Sequence, residues 1–259
     1  MLRKLTDMIY YLPNDESTDR PSIGYVKGRK YSLMVDAGAS PLHVQLFLHE
    51  LEQNGLKRPD FVFLTHWHWD HVFGLATLKE SNVLSIACKM TNERLIKMRT
   101  WEWTPEAIES RLSTGEDVEF CMRMMETEYP GFRHIQIATA EITFEDRLVL
   151  DLGGITCELL RVGGPHTEDS VICFVQEEKV LFLGDASGED LLQVPAREYR
   201  RKLGDLLHRL EPLPFELVVP GHWGDEKRDD TLRDICLEME KAENEIYHIP
   251  SSMQVADGE

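Results

Sequence analysis

The chain has 259 residues, enough to bury a substantial core without disulfide or metal staples, and 42% are hydrophobic against 29% charged. That balance excludes a mainly disordered chain and a collagen-like repeat, and no apolar run approaches the roughly 18 residues of a membrane-spanning helix. With 28 Lys and Arg against 46 Asp and Glu, the net charge of −18 opposes nucleic acid and anionic membranes at long range.

Arg3 and Lys4 are followed by Asp7 and no apolar stretch, so no signal peptide is expected. Ser22–Lys27 and Tyr31–Asp36 flank Gly28-Arg29 as a β-hairpin. Ser40-Pro41 reads as a helix start, Leu42, Leu46, Phe47 and Leu51 share one face, and Asn54-Gly55 ends it. Asp60–Leu64 is a short apolar strand, the loop Thr65–His71 follows, and a helix runs on through Lys79 to a strand at Asn82–Ala87. Residues 88–140 break the alternation and read as a mostly helical insertion in one domain spanning 1–259. Thr104-Pro105-Glu106 starts one helix and Gly115 ends it, while Val118, Cys121, Met122 and Met125 keep helical spacing up to Tyr129-Pro130-Gly131. Strands resume at Arg147–Asp151, Ile155–Val162, Val171–Gln176 and Lys179–Leu183. A helix at Ala196–Leu210, a strand at Glu216–Val219, a last amphipathic helix from Leu232 to Ile246 and a frayed tail from Pro250 complete the order. The five cysteines, Cys88, Cys121, Cys157, Cys173 and Cys236, contain no C-x-x-C pair, which fits a reducing compartment and a cytoplasmic location.

The chemistry concentrates in Thr65-His66-Trp67-His68-Trp69-Asp70-His71, on a loop after a strand. Imidazole nitrogens and carboxylate oxygens are the usual ligands of zinc and related divalent metals. Taken alone, the string also fits a His-rich surface loop. Three further candidates each follow a strand and adjoin glycine: His166 in Gly163-Gly164-Pro165-His166, Asp185 in Leu183-Gly184-Asp185, and His222 in Pro220-Gly221-His222. A lone His or Asp after a strand is ordinarily a loop residue, but unrelated loop residues have no reason to share this context at four strand ends.

With these motifs in this order the chain resembles the metallo-β-lactamase-fold hydrolase superfamily, over nearly its whole length. The resemblance implies an α+β fold, a four-layer αββα sandwich, with metals at one edge of its two sheets. It also implies that His66, His68 and His166 hold one metal, that Asp70, His71 and His222 hold a second, and that Asp185 bridges them. Two divalent ions, zinc first and iron or manganese as alternatives, would then share a bridging hydroxide as nucleophile, with Asp70 and Asp185 the catalytic carboxylates. Histidine ligands need outer partners to fix their tautomers, and Asp36 is a candidate for one, with a turn-initiating role as the alternative.

Departures from the family's branches narrow the activity. The best-known zinc β-lactamases carry Cys where Asp185 stands. Glyoxalase II types continue into a basic helical region, whereas only a short segment follows His222, with Lys227 and Arg228 read as solvated helix-start charges. Homoserine-lactone lactonases place Tyr soon after the bridging Asp, where this chain has Ala186-Ser187-Gly188. RNase Z types need a basic exosite, and diiron flavoproteins usually have Glu where His68 stands. The expected activity is hydrolysis of an ester, thioester or lactone bond in a small molecule. The alternatives are an iron persulfide dioxygenase using only His66, His68 and His166, and a metal-dependent phosphodiesterase or nuclease. A non-catalytic module would not need the complete ligand set. Nucleic acid and membrane are not expected partners, and a homodimer is compatible with the chain.

All five Trp lie in the motifs or the insertion. Trp101, Trp103 and Met122 are therefore expected either to wall an apolar pocket or to form the insertion's own core. Asp190 is read as a solvated loop residue.

Overall fold

A computed structural model describes residues 1–189 and 196–242. The expected helix end at Ile246, the tail from Pro250 and Asp190 lie outside the described residues.

The first sheet has seven strands in sequence order: β1 (Arg3–Lys4), β2 (Ile9–Leu12), β3 (Ile23–Lys27), β4 (Ser32–Val35), β5 (Phe61–Phe63), β6 (Leu84–Cys88) and β7 (Ile142–Phe144). The second has six: β8 (Arg147–Asp151), β9 (Thr156–Arg161), β10 (Val171–Val175), β11 (Val180–Gly184), β12 (Leu217–Pro220) and β13 (Glu226–Lys227). Their order is β13-β12-β11-β10-β9-β8.

Strand periodicity sorts the core into layers. In β10, Val171, Cys173 and Val175 face Val26, Leu33 and Phe63 of the first sheet, while Ile172 and Phe174 face outward. Gly24 of β3 lies in the inter-sheet contact, where a Cβ would come 2.4 Å from the Phe182 ring. Outside the second sheet, helices α7 (Ala196–Leu210) and α8 (Arg228–Lys241) cover Phe174, Leu181 and Val218 with Tyr199, Leu203, Leu206 and Ile235. Outside the first sheet lie α1 (Pro41–Gln53), α2 (Trp69–Val72), α3 (Leu75–Glu80), α4 (Lys89–Met98), α5 (Pro105–Thr114) and α6 (Glu119–Glu128). The layers are helix, sheet, sheet, helix, as the sandwich requires.

Local chemistry sets the helix starts. Ser40 accepts the His43 N–H at 3.2 Å with Pro41 at the first position, and Thr104 accepts from Ala107 at 3.2 Å ahead of Pro105. Gly115 ends α5 at φ 69. The helix expected from the loop through Lys79 is instead two short ones broken around Gly74. The Gly74 N–H donates to Gly38, and a Cβ there would lie 2.1 Å from the Ala37 carbonyl oxygen. Strands β1, β2, β7 and β13 were not expected. They have two to four residues, too few for a periodic signal, and exist through pairing with longer neighbours. Among the described residues, no helix is long and apolar enough to cross a membrane.

Candidate metal centre

All seven ligand candidates meet at one edge of the sandwich. The His-rich string divides because its backbone changes conformation midway. His68 is still extended (φ −61, ψ 147), and Trp69 opens α2, so His66 and His68 point one way while Asp70 and His71 turn another. His166 arrives from the loop between β9 and β10, Asp185 from the end of β11 and His222 from the end of β12. The result is two clusters: His66, His68 and His166, and Asp70, His71, Asp185 and His222. Within each, one ligand atom per residue lies within 4.8 Å of the others.

Asp185 stands between them. Its Oδ2 is 3.2 Å from His222 Nε2, 3.3 Å from His71 Nε2, 3.5 Å from His166 Nε2 and 3.9 Å from His66 Nε2. Asp70 Oδ2 is 3.0 Å from His222 Nε2 and 3.1 Å from His71 Nε2. His68 Nδ1 and His166 Nε2 face each other at 2.8 Å.

Outer partners hold the rings by their other nitrogens. His71 Nδ1–H donates to Asp36 Oδ2 at 2.8 Å, so Asp36 orients a ligand candidate. Asp36 itself has φ 66 and accepts both the Thr65 N–H at 2.8 Å and the Thr65 hydroxyl at 2.9 Å. Thr65 Oγ1 lies 3.1 Å from His66 Nδ1. His166 Nδ1–H donates to the Glu189 carbonyl at 2.7 Å. His66, His71, His166 and His222 thus present Nε2 to the centre, and His68 presents Nδ1.

The buried electrostatics call for cations. Burial pushes the Asp70 and Asp185 carboxyls up, but His71 and His222 outweigh it and hold both well below the usual carboxylate range. Burial opposes a charge on His71 and His222, yet the two carboxylates raise both imidazoles well above their usual value. Burial and neighbouring imidazoles keep His66 neutral and depress His68 to about 3. Neutral imidazole and ionised carboxylate are the ligand forms, and bound cations would take the place of the protons on His71 and His222. The donor set fits such ions on a second ground. His66 Nε2, His71 Nε2 and Asp185 Oδ1 are buried without a hydrogen-bond partner among the described residues, a costly state unless something binds there.

Sequence reasoning missed Asp19, whose Oδ1 is 3.6 Å from His222 Nδ1. Burial, then the charge of Asp70, raises its carboxyl to about 7. Nothing in the polar run Asn14–Arg20 signals this, because Asp19 reaches the site only through folding across some 200 residues of chain.

A cleft of about 570 Å³ opens over the centre, lined by His68, Asp70, His166, Asp185 and His222. Beside it, an apolar slot is walled by Trp67, Trp69, Phe73, Trp101, Trp103 and Met125. Trp101 and Trp103 also pack on the first sheet's outer core, so the insertion serves as both wall and core. Met122 lies buried in that core and is not in the slot's lining.

Fold and site together define a sandwich protein with paired clusters of metal-type ligands at one sheet edge. Residues 18–222 match the model of the Metallo-beta-lactamase superfamily, and the chain belongs to that superfamily. Among solved structures, a metallo-beta-lactamase from Pontibacter korlensis is similar at TM-score 0.64 and 18% identity, covering 95% of this chain and 99% of that chain. The DIM-1 metallo-beta-lactamase is similar at TM-score 0.63 and 19% identity, covering 93% of this chain and 97% of that one. VMB-1 is similar at TM-score 0.61 and 18% identity, with 94% and 97% covered. At these identities the likeness speaks to fold alone. A comparison with curated protein sequences returns no match.

Proposed function

We propose that the protein is a dinuclear metallohydrolase, with zinc as the first candidate, that cleaves an ester, thioester or lactone bond of a small molecule. The observation that carries this is the position of Asp185, whose one carboxylate oxygen lies within 3.9 Å of histidines from both clusters. His66, His68 and His166 would hold one cation, Asp70, His71 and His222 the other, and Asp185 both. Bound divalent ions supply Lewis acidity and ionised water at neutral pH.

The chain's own residues do the rest. Asp36 and Thr65 fix the ring orientations of His71 and His66 before anything binds. Asp70 and Asp185 stay ionised at neutral pH and supply the negative charge that offsets two adjoining cations. The tryptophan wall keeps one side of the cleft dry and offers a seat for an apolar acyl group. The complete second cluster favours this reading over a mononuclear iron dioxygenase, which would need only His66, His68 and His166. All five cysteines are free thiols, which supports a reducing, cytoplasmic setting.

A hydrolysis screen over thioester, lactone, phosphodiester and β-lactam substrates tests the proposal. Turnover of a thioester or lactone, lost with a chelator and restored by zinc, is expected. Chelator-resistant turnover, or oxygen uptake by an iron-loaded protein in place of hydrolysis, contradicts it.

Trp103→Ala tests the slot. Losing this contact is expected to raise KM for a substrate with an apolar acyl group roughly tenfold or more, with kcat little changed. An unchanged KM with a lower Tm would leave the residue only its packing role against Phe73 and Trp101.

A further inference from the structure

We propose that Arg94 and Lys202 form an anion seat beside His68 and His166. The substrate then carries a carboxylate or phosphate on the side of its scissile bond that faces those two histidines. This rests on the hydrolase reading above and adds the substrate's charge and orientation.

Lys202 projects from α7 with only 14% of its side chain exposed, and its nearest carboxylate, Glu198, is 4.0 Å away. It has no hydrogen bond with any described residue. Its stem is mostly buried while the ammonium keeps no carboxylate closer than 4.0 Å, so it is available to an incoming anion. The ammonium borders a cavity of about 370 Å³ that His68, His166 and Arg94 also line.

Arg94 reaches the same cavity from α4. Its guanidinium lies 5.3 Å from the centre of the Trp67 ring, and Trp67 meets His68 edge to face at 4.7 Å. The aromatic face holds the planar cation in place while leaving its N–H fork open for an oxyanion. Arg94 has no ion pair with any described residue. The third cation of the cavity, Lys97, is already bound to Glu116. The acids there do not neutralise the other two. Asp169 is buried and accepts the Thr91 hydroxyl at 2.7 Å, and Glu93 and Glu168 are exposed to solvent.

The far side of the centre has the opposite character. Around His222 the main cleft is bordered by Glu16 and Asp19, and none of its described lining residues is Lys or Arg. In a chain of net charge −18, Arg94 with no ion pair among the described residues and Lys202 with only a 4.0 Å contact to Glu198, both on the cavity of two ligand histidines, are a local exception. The segregation of charge across the centre gives an anionic substrate one favourable orientation.

Three S-acetyl thioesters with one acyl group and different thiols test the seat on metal-loaded protein. The thiols are 2-mercaptoethanol, 3-mercaptopropionate and 2-mercaptoethyl phosphate. At least one charged thioester is expected to exceed the neutral one in kcat/KM by about tenfold, and which one tells carboxylate from phosphate. Arg94→Gln and Lys202→Gln should each remove most of that advantage and leave the neutral thioester unchanged. Arg94 is exposed, so its variant carries the test should Lys202→Gln fail to fold. Equal rates for all three thioesters in the wild type would overturn the seat and leave the hydrolase reading standing. Should no thioester be cleaved, calorimetric binding of inorganic phosphate and of succinate decides. Weaker binding to Arg94→Gln than to wild type supports the seat, and equal affinity overturns it.

Discussion

Asp185→Asn is expected to lower kcat by more than about 100-fold, beyond what the loss of an outer-shell partner usually produces, and to leave at most one tightly bound metal. The amide keeps the shape of the carboxylate but loses its charge and one acceptor oxygen. That charge lies within 3.9 Å of His66, His71, His166 and His222, whereas the Asp70 carboxylate pairs only with His71 and His222 and does not replace it between the clusters. The fold should persist, because Asp185 belongs to none of the three apolar clusters that join the layers. Bound metal by elemental analysis, kcat and circular dichroism together separate these effects. A variant with two tightly held metals and near-normal kcat would show that Asp185 is not the shared ligand.

Gly221→Ala should disable the site almost as thoroughly by sterics alone. A Cβ at Gly221 would lie 1.9 Å from Asp185 Oδ1 and 3.2 Å from His71 Cε1. The backbone has little room to retreat. The Gly221 N–H donates to the Gly184 carbonyl at 3.0 Å, and its own carbonyl accepts from Ser22 at 2.6 Å. The carboxylate must therefore swing away from the position between the clusters. Metal affinity, measured by competition with a chromogenic chelator, should fall by roughly 10- to 100-fold, as when the support of a metal ligand is lost. Wild-type affinity in this variant would mean that the position of Asp185 is not what holds metal.

The site was legible where its chemistry is local. His66, His68, Asp70 and His71 fall within six residues. Asp185 and His222 each stand beside a glycine at a strand end, and His166 follows Gly163-Gly164-Pro165 in the loop after β9, placements that survive without any tertiary information. The role of Asp36 was open between turn and ring support, and the 2.8 Å contact with His71, 35 residues on, shows that it orients that ring. What was not legible depends on distant partners. Asp19 meets His222 across the sheet edge, and Arg94 and Lys202 share a cavity although 108 positions separate them. Hydrophobic periodicity carries no record of such meetings. The same limit explains the fold errors. Ile9–Leu12 is only four residues, buried on both faces, and became a strand because β3 pairs with it. The helix break at Gly74 reflects the nearby Ala37 carbonyl, which local propensity does not register.

The central claim is that this chain holds a metal pair, and the metal content of protein purified without chelator tests it most directly. Seven donors exceed what one tetrahedral site uses. The prediction is about two transition-metal ions per chain, falling to about one in Asp185→Asn. One iron per chain after metal-replete expression, unchanged by Asp185→Asn, would contradict it.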